Sequence, residues 1–187
     1  MKIALAFVLI SLNLVTGRVC QKHSDLIFWS KERMLKWEDF EGSYSDRDTF
    51  SVASSIKLQL KYRLTNRSNK LKVFCVFSKG ESWYFDTSAY ALKHEMGHYN
   101  IGEIVARMLR KRLTEYKDKS ILLDQYDLDI LFKQYTKILV ENQLQYDNET
   151  NHSINENQQT DWNRKIQKEL GDLRLYEEAN KTIVIRK

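Results

Sequence analysis

The chain has 187 residues, 42% of them apolar and 29% charged, which is enough for one domain with a sizeable core and too apolar for a disordered polypeptide. The formal net charge is +5, but Lys and Arg are interleaved with Asp and Glu rather than gathered in a strip, so the composition argues against a nucleic-acid surface. Proline is absent, and element boundaries must be read from Gly, Asn, Asp and Ser.

Met1 to Gly17 reads as an export signal. Lys2 is the charged start, Ile3 to Leu12 is an apolar run broken only by Ser11, and Val15-Thr16-Gly17 offers cleavage after Gly17. The run is too short for a comfortable membrane span, and no later segment is apolar enough for one. The alternative is a buried N-terminal helix. Export implies a secreted or periplasmic protein in which disulfides persist, so Cys20 and Cys75 could pair. Cys20 could instead be the acylated first residue of a lipoprotein, although Arg18 and Val19 suit that cleavage poorly. Cys75 lies in an apolar run and could simply be core.

Asp25 to Trp29 is a short apolar stretch. Leu35 to Gly42 places Trp37 and Phe40 one helical turn apart, a single turn anchored by two aromatics. Phe50 to Leu64 alternates as a half-buried strand. Thr65 to Asn69 is a polar turn, and Leu71, Val73, Cys75 and Phe77 alternate in a second strand, so the pair predicts a hairpin. Ser82 to Phe85 reads as a further short strand. Asp86, Thr87 and Ser88 are all possible N-caps for a helix from Ala89 to about Lys117. A second helix runs from about Asp124 to Gln145, with Leu128, Leu131, Tyr135, Ile138 and Leu139 as its inner stripe. Tyr146 to Ser153 reads as a polar loop. A third helix starts near Asn155, carries Ile154, Trp162, Ile166 and Leu170 at multiples of four, and stops at Gly171. Thr182 to Lys187 alternates β-branched residues but finds no place in this scheme. The expectation is one α+β domain over residues 18–187: an N-terminal antiparallel hairpin or sheet, then three helices carrying a zincin-like metal site.

That site is predicted on the first helix by His94-Glu95-Met96-Gly97-His98. Residues at i and i+4 share a helix face, so both imidazoles can reach one cation, and Glu95 stands beside a water on it. Tyr90, Ala91, Ile101, Val105, Met108 and Leu109 fall on the same side as the histidines. Lys93, Asn100, Glu103, Arg107, Arg110 and Lys111 fall on the other, with Glu103 and Arg107 as an i,i+4 pair. Two core histidines, each merely hydrogen-bonded, are the plain alternative. Two ionisable rings turned inward need a reason, however, and Zn²⁺ supplies one.

A catalytic zinc takes three protein ligands and keeps one position for water. Glu103 points about 180° away from His94 on the same helix, and Ile104 stands where a metzincin would carry its third histidine. The remaining histidines are His23, near the new N-terminus, and His152. If the second helix packs antiparallel on the first, its C-terminal end returns to the His94/His98 end, which makes His152 the expected third ligand. Asp147 and Glu149 are the alternatives, as ligands or as partners that orient a ligating imidazole. The same loop could also be an Asx-turn linker capping the third helix.

Trp37-Glu38-Asp39-Phe40-Glu41-Gly42, Ser82-Trp83, His94 to Ile101, and Tyr146 to Ser153 together with Trp162 resemble the DUF922 family of secreted bacterial proteins described as zinc-dependent proteases. The resemblance spans about residues 28–172. It implies that His94, Glu95 and His98 form the metal motif, and that Tyr146, Asp147, Thr150 and His152 form the second block. Ser153 departs from the family's pattern, where a glycine is more usual.

The resulting expectation is an exported zinc metalloprotease, a hydrolase acting on a protein or peptide substrate. A zinc-bound water attacks the peptide bond, Glu95 acts as general base, and Tyr146, Tyr99 or Thr150 donates to the oxyanion. The alternatives are an exported zinc-binding module without catalysis and a metallohydrolase acting on cell-wall bonds.

Overall fold

A computed structural model describes residues 25–44, 51–85 and 87–186. The segment read as an export signal, Cys20 and His23 lie outside the described residues. The fold is α+β, an antiparallel sheet followed by three helices, as the sequence pattern implies. No helix among the described residues is long and apolar enough to cross a membrane.

The elements run β1 (Leu26–Phe28), β2 (Val52–Ala53), β3 (Ile56–Leu64), β4 (Ser68–Ser78), β5 (Trp83–Tyr84), α1 (Ala89–Asp118), α2 (Gln125–Thr150), α3 (Glu156–Asp172) and β6 (Ile183–Arg186). A single 3₁₀ turn, Trp37–Asp39, sits where the two aromatics place it, with Trp37 and Phe40 both packed on Tyr84. The hairpin pairs β3 with β4 in one continuous register, from Ile56 opposite Phe77 to Leu64 opposite Asn69. The other edge of β4 is shared. β1 pairs with its C-terminal end, and β6 pairs with its N-terminal end.

Three features depart from the sequence expectation. The strand read as one piece from Phe50 breaks at Ser54 and Ser55. Ser55 turns its backbone N–H to the Ser82 hydroxyl, so β2 leaves the main sheet to pair with β5. Thr182 to Lys187, unplaced in the sequence, contributes β6, whose Ile185 is fully buried against the sheet. On the polar side of α1, Glu103, Arg107 and Arg110 are buried, although Lys93 and Lys111 on the same side are exposed.

That burial has a cause in the chain that follows. Arg107 Nη1 donates to the Leu170 carbonyl at 2.7 Å, and Arg110 Nη1 donates to the Tyr176 carbonyl at 2.8 Å. Glu103 accepts from Arg107 Nε at 2.9 Å and from Arg110 Nη1 at 2.8 Å. The end of α3 and the segment after it thus lie against the back of α1, and two guanidinium groups donate to their carbonyls. Cys75 is a free, buried thiol facing α1, and burial pushes its pKa up.

The core lies between the sheet and α1. Gly102 permits the close approach: a Cβ there would stand 2.5 Å from Ile56 Cγ2 and 2.7 Å from Cys75 Sγ. Leu71, Val73, Cys75 and Phe77 meet Ile101, Val105, Leu109 and Leu113 in one cluster. With α2 and α3 on its other flank, α1 is enclosed nearly all round over its middle turns.

Candidate metal centre

Ser88 caps α1, its side chain accepting from the Ala91 backbone N–H at 2.9 Å. This starts the helix so that His94, Glu95 and His98 fall on its second and third turns, all buried. α2 packs antiparallel to α1, and its last turns meet the histidines. The helix does not end near Gln145 but continues to Thr150, so Tyr146 and Asp147, read as loop, are helical. Gln143, Tyr146, Asp147 and Thr150 stand at i, i+3, i+4 and i+7 on the face toward α1.

Gly97 is what lets that face come close. A Cβ on Gly97 would lie 2.2 Å from the Tyr146 hydroxyl. The Tyr146 ring stacks on His94, centroids 4.5 Å apart, and meets His98 edge-on. Its hydroxyl donates to the His94 carbonyl and accepts from Gln159 on α3. The hydroxyl proposed as an oxyanion donor is therefore committed within the helix packing. So are those of Tyr99, on the Ile27 carbonyl, and Thr150, on the Tyr146 carbonyl.

Three ligand atoms converge. His94 Nε2 and His98 Nε2 are 3.1 Å apart, and Asp147 Oδ1 lies 3.1 Å from the first and 2.9 Å from the second. Among the described residues His94, His98 and Asp147 form the group that could hold a metal ion. A tetrahedral ion with bonds of about 2.0–2.1 Å has ligand atoms roughly 3.3 Å apart, so the triangle is close to one face of such a shell. Asp147, an alternative in the sequence, supplies the third atom. His152 lies at the edge of the group, its side chain 44% exposed and its Nδ1 3.5 Å from Asp147 Oδ1. It sits in a turn where Asn151, His152 and Ser153 all have positive φ, at 48°, 50° and 74°. Glu149 faces α3 instead, accepting from Trp162 Nε1 and Gln145 Nε2, which hold its carboxyl below the usual range.

The electrostatics follow from the convergence. Burial, the strongest influence on His98, disfavours its charged form, but the Asp147 carboxylate, Glu95 and Gln143 outweigh it and raise the pKa to about 9. Burial likewise opposes charge on Asp147, yet the charge on His98 and hydrogen bonds from both rings hold its carboxyl well below the usual range.

Glu95, the residue expected from the sequence to act as general base, is held from the sheet side. Ser54, in the break between β2 and β3, donates its hydroxyl to Glu95 Oε2 at 2.5 Å. Sequence reasoning missed Ser54, and nothing local marks it, because it reaches Glu95 across 41 positions. It also missed Gln143 and Gln159, whose side-chain oxygens lie within hydrogen-bond reach of the Nδ1 atoms of His98 and His94. Gln143 lies on the face that a continued α2 would have revealed, whereas Gln159 reaches the site from α3.

The fold and the site together define an α+β protein with a two-histidine, one-carboxylate candidate centre at the junction of three helices. Comparison with family models, curated proteins and solved structures gave no match to this chain.

Proposed function

We propose that the protein is an exported zinc-dependent metallopeptidase, with His94, His98 and Asp147 as the metal ligands and Glu95 as the general base. The observation that carries this reading is the meeting of two imidazole nitrogens and a carboxylate oxygen at 2.9–3.1 Å. Three electron-rich atoms at that separation repel one another unless a cation lies among them. A proton on His98 does this in part; a divalent ion does it fully. Two neutral imidazoles and one carboxylate suit zinc.

Zinc held there would lower the pKa of a bound water toward neutrality and polarise a carbonyl. The chain does the rest. Glu95 follows His94 directly and would take the proton of the attacking water and return it to the leaving amine. Ser54 pins one oxygen of Glu95, leaving the other for that exchange. The Asp147 side chain is 25% exposed, which gives the cluster a solvent side from which a substrate can arrive.

The test is zinc content and peptide hydrolysis of the purified protein. Activity should vanish with chelator and fall by about 10²–10⁴ in Glu95→Gln, which still binds zinc. Full turnover in Glu95→Gln sinks the mechanism. A panel of casein against purified cell wall separates a peptidase from a hydrolase of cell-wall bonds.

A closed zinc module without catalysis is the second reading, and His152 is the observation behind it. Standing 3.5 Å from Asp147 Oδ1, it is the residue that would fill the fourth position. The visible spectrum of the cobalt form discriminates: sensitivity to added azide marks an open position, and indifference marks a closed one.

A further inference from the structure

Both imidazoles of the centre are held from behind by neutral amides, and independent partners fix which way each amide faces. Gln143 donates its Nε2 to the His98 carbonyl at 3.1 Å, so its oxygen must be the atom that meets His98 Nδ1. Reversing the amide would set oxygen against oxygen at the carbonyl and N–H against the ring. Gln159 donates its Nε2 to the Tyr146 hydroxyl at 2.6 Å and to Asn163 Oδ1 at 3.1 Å. The Tyr146 proton goes to the His94 carbonyl, so Tyr146 must accept from Gln159. The Gln159 oxygen therefore meets His94 Nδ1, at 2.9 Å. Gln159 is itself 2% exposed, so this geometry is not shared with water.

We infer that Gln143 and Gln159 are positioning residues that keep the proton of each imidazole on Nδ1 and direct both Nε2 lone pairs at the metal. The inference rests on the metal reading above. An imidazole that ligates a metal through one nitrogen is oriented by whatever the other nitrogen donates to, commonly a carboxylate or a carbonyl. Here the acceptors are amides, which hold the ring without adding negative charge. Asp147 is then the one anion that closes the triangle with the two rings. Gln159 also ties α3 to the centre: through it and Tyr146, the third helix locks the rotamer of His94.

The experiment uses the full chain and has two arms. In the metal-free protein, long-range ¹⁵N–¹H correlation of labelled histidine reads which ring nitrogens carry protons. Nδ1 should be protonated on both His94 and His98. This holds in the neutral and the charged ring alike, so the result does not depend on the pH chosen. In the second arm, zinc affinity is measured by competition with a chromophoric chelator. Gln143→Leu and Gln159→Leu should each weaken zinc by about 10–100-fold. Gln143→Glu and Gln159→Glu keep an acceptor on Nδ1 but give up the Nε2 donor, so each should bind zinc more tightly than the matching Leu variant. A merely structural role would damage the Glu variants as much as the Leu ones.

An unprotonated Nδ1 on either ring, or Leu variants that bind zinc as well as the parent, overturns the assignment and leaves the metal reading standing. A parent protein with both Nδ1 protons in place but no zinc binding overturns the metal reading instead.

Discussion

Gly97 sits inside His94-Glu95-Met96-Gly97-His98, at a position the proposed chemistry does not require to be glycine. The structure gives it a steric reason, and Gly97→Ala tests it. The added methyl would stand 2.2 Å from the Tyr146 hydroxyl, 2.7 Å from Cζ and 3.1 Å from Cε1. Ordinary carbon contacts begin near 3.5 Å, so the Tyr146 ring must retreat by about 1 Å. It is fully buried between His94, His98 and Trp162 and cannot swing out. Overpacking of this kind costs about 1–3 kcal/mol. Weakening the two hydrogen bonds of the Tyr146 hydroxyl adds about 1–2 kcal/mol. Better helix propensity returns about 1 kcal/mol, so the net expectation is a loss of about 2–3 kcal/mol. Zinc affinity should fall as well, because Asp147 follows Tyr146 directly. The control is Gly171→Ala near the end of α3, where a Cβ would meet nothing within 4 Å. There the propensity term acts alone and the change should be neutral or stabilising by up to about 1 kcal/mol. Urea unfolding of both variants reads the sign. If Gly97→Ala gains stability as Gly171→Ala does, α2 does not approach α1 as described.

Other expectations follow from the same geometry. Asp147→Ala should lose zinc more severely than His152→Ala, since Asp147 lies within 3.1 Å of both rings and His152 only 3.5 Å from Asp147; metal retained after dialysis ranks the two. In the metal-free protein His98 is raised from 6.5 to about 9, so its stabilising charge is fully present below pH 6.5 and lost as pH rises through about 9. Asp147 is depressed, so its contribution is present above its ordinary value of 3.8 and lost as pH falls below it. Chelated protein should therefore be most stable between about pH 4 and 6.5, whereas zinc affinity should climb over the pH 6.5–9 window as His98 gives up its proton; thermal melts with and without zinc should move in opposite directions there. Glu103→Gln should cost about 3–5 kcal/mol by leaving two buried guanidinium groups short of their anion, and added salt should not restore it.

The parts of this fold that could be read from the sequence are those where pattern and chemistry coincide. The hairpin alternates because one face of β3 and β4 meets α1, and His94-Glu95-Met96-Gly97-His98 is local enough to be seen in five residues. The end of α2 was hidden because its inner face changes character. Up to Leu139 the stripe is apolar; beyond it the same helical spacing is kept by Gln143, Tyr146, Asp147 and Thr150. A search for apolar periodicity stops where the helix begins to serve the site. Ser54 is invisible for another reason, since its partner Glu95 is brought to it by the break between two strands. Glu103, Arg107 and Arg110 look like a solvated face in any hydropathy pattern, and only the return of the chain after α3 encloses them.

That last group sharpens the argument about the first. α1 buries two polar clusters about two turns apart, and they differ in whether their donors and acceptors balance. Arg107 and Arg110 each place all three guanidinium nitrogens on acceptors, namely Glu103, Glu177 and the carbonyls of Val73, Leu170, Tyr176 and Glu177. That cluster is complete within the protein and calls for no ligand, so its burial is explained by fold alone. The histidine cluster is not balanced in this way. On the inferred assignment, with both Nδ1 protons given to glutamines, His94 Nε2 and His98 Nε2 face each other and Asp147 Oδ1, and only an additional proton on a ring or a cation can bridge them to the carboxylate. Buried acceptors in excess of donors mark where a cation belongs. By this criterion the histidine cluster could hold an ion, whereas the arginines already have acceptors among the described residues, although both clusters ride on the same helix.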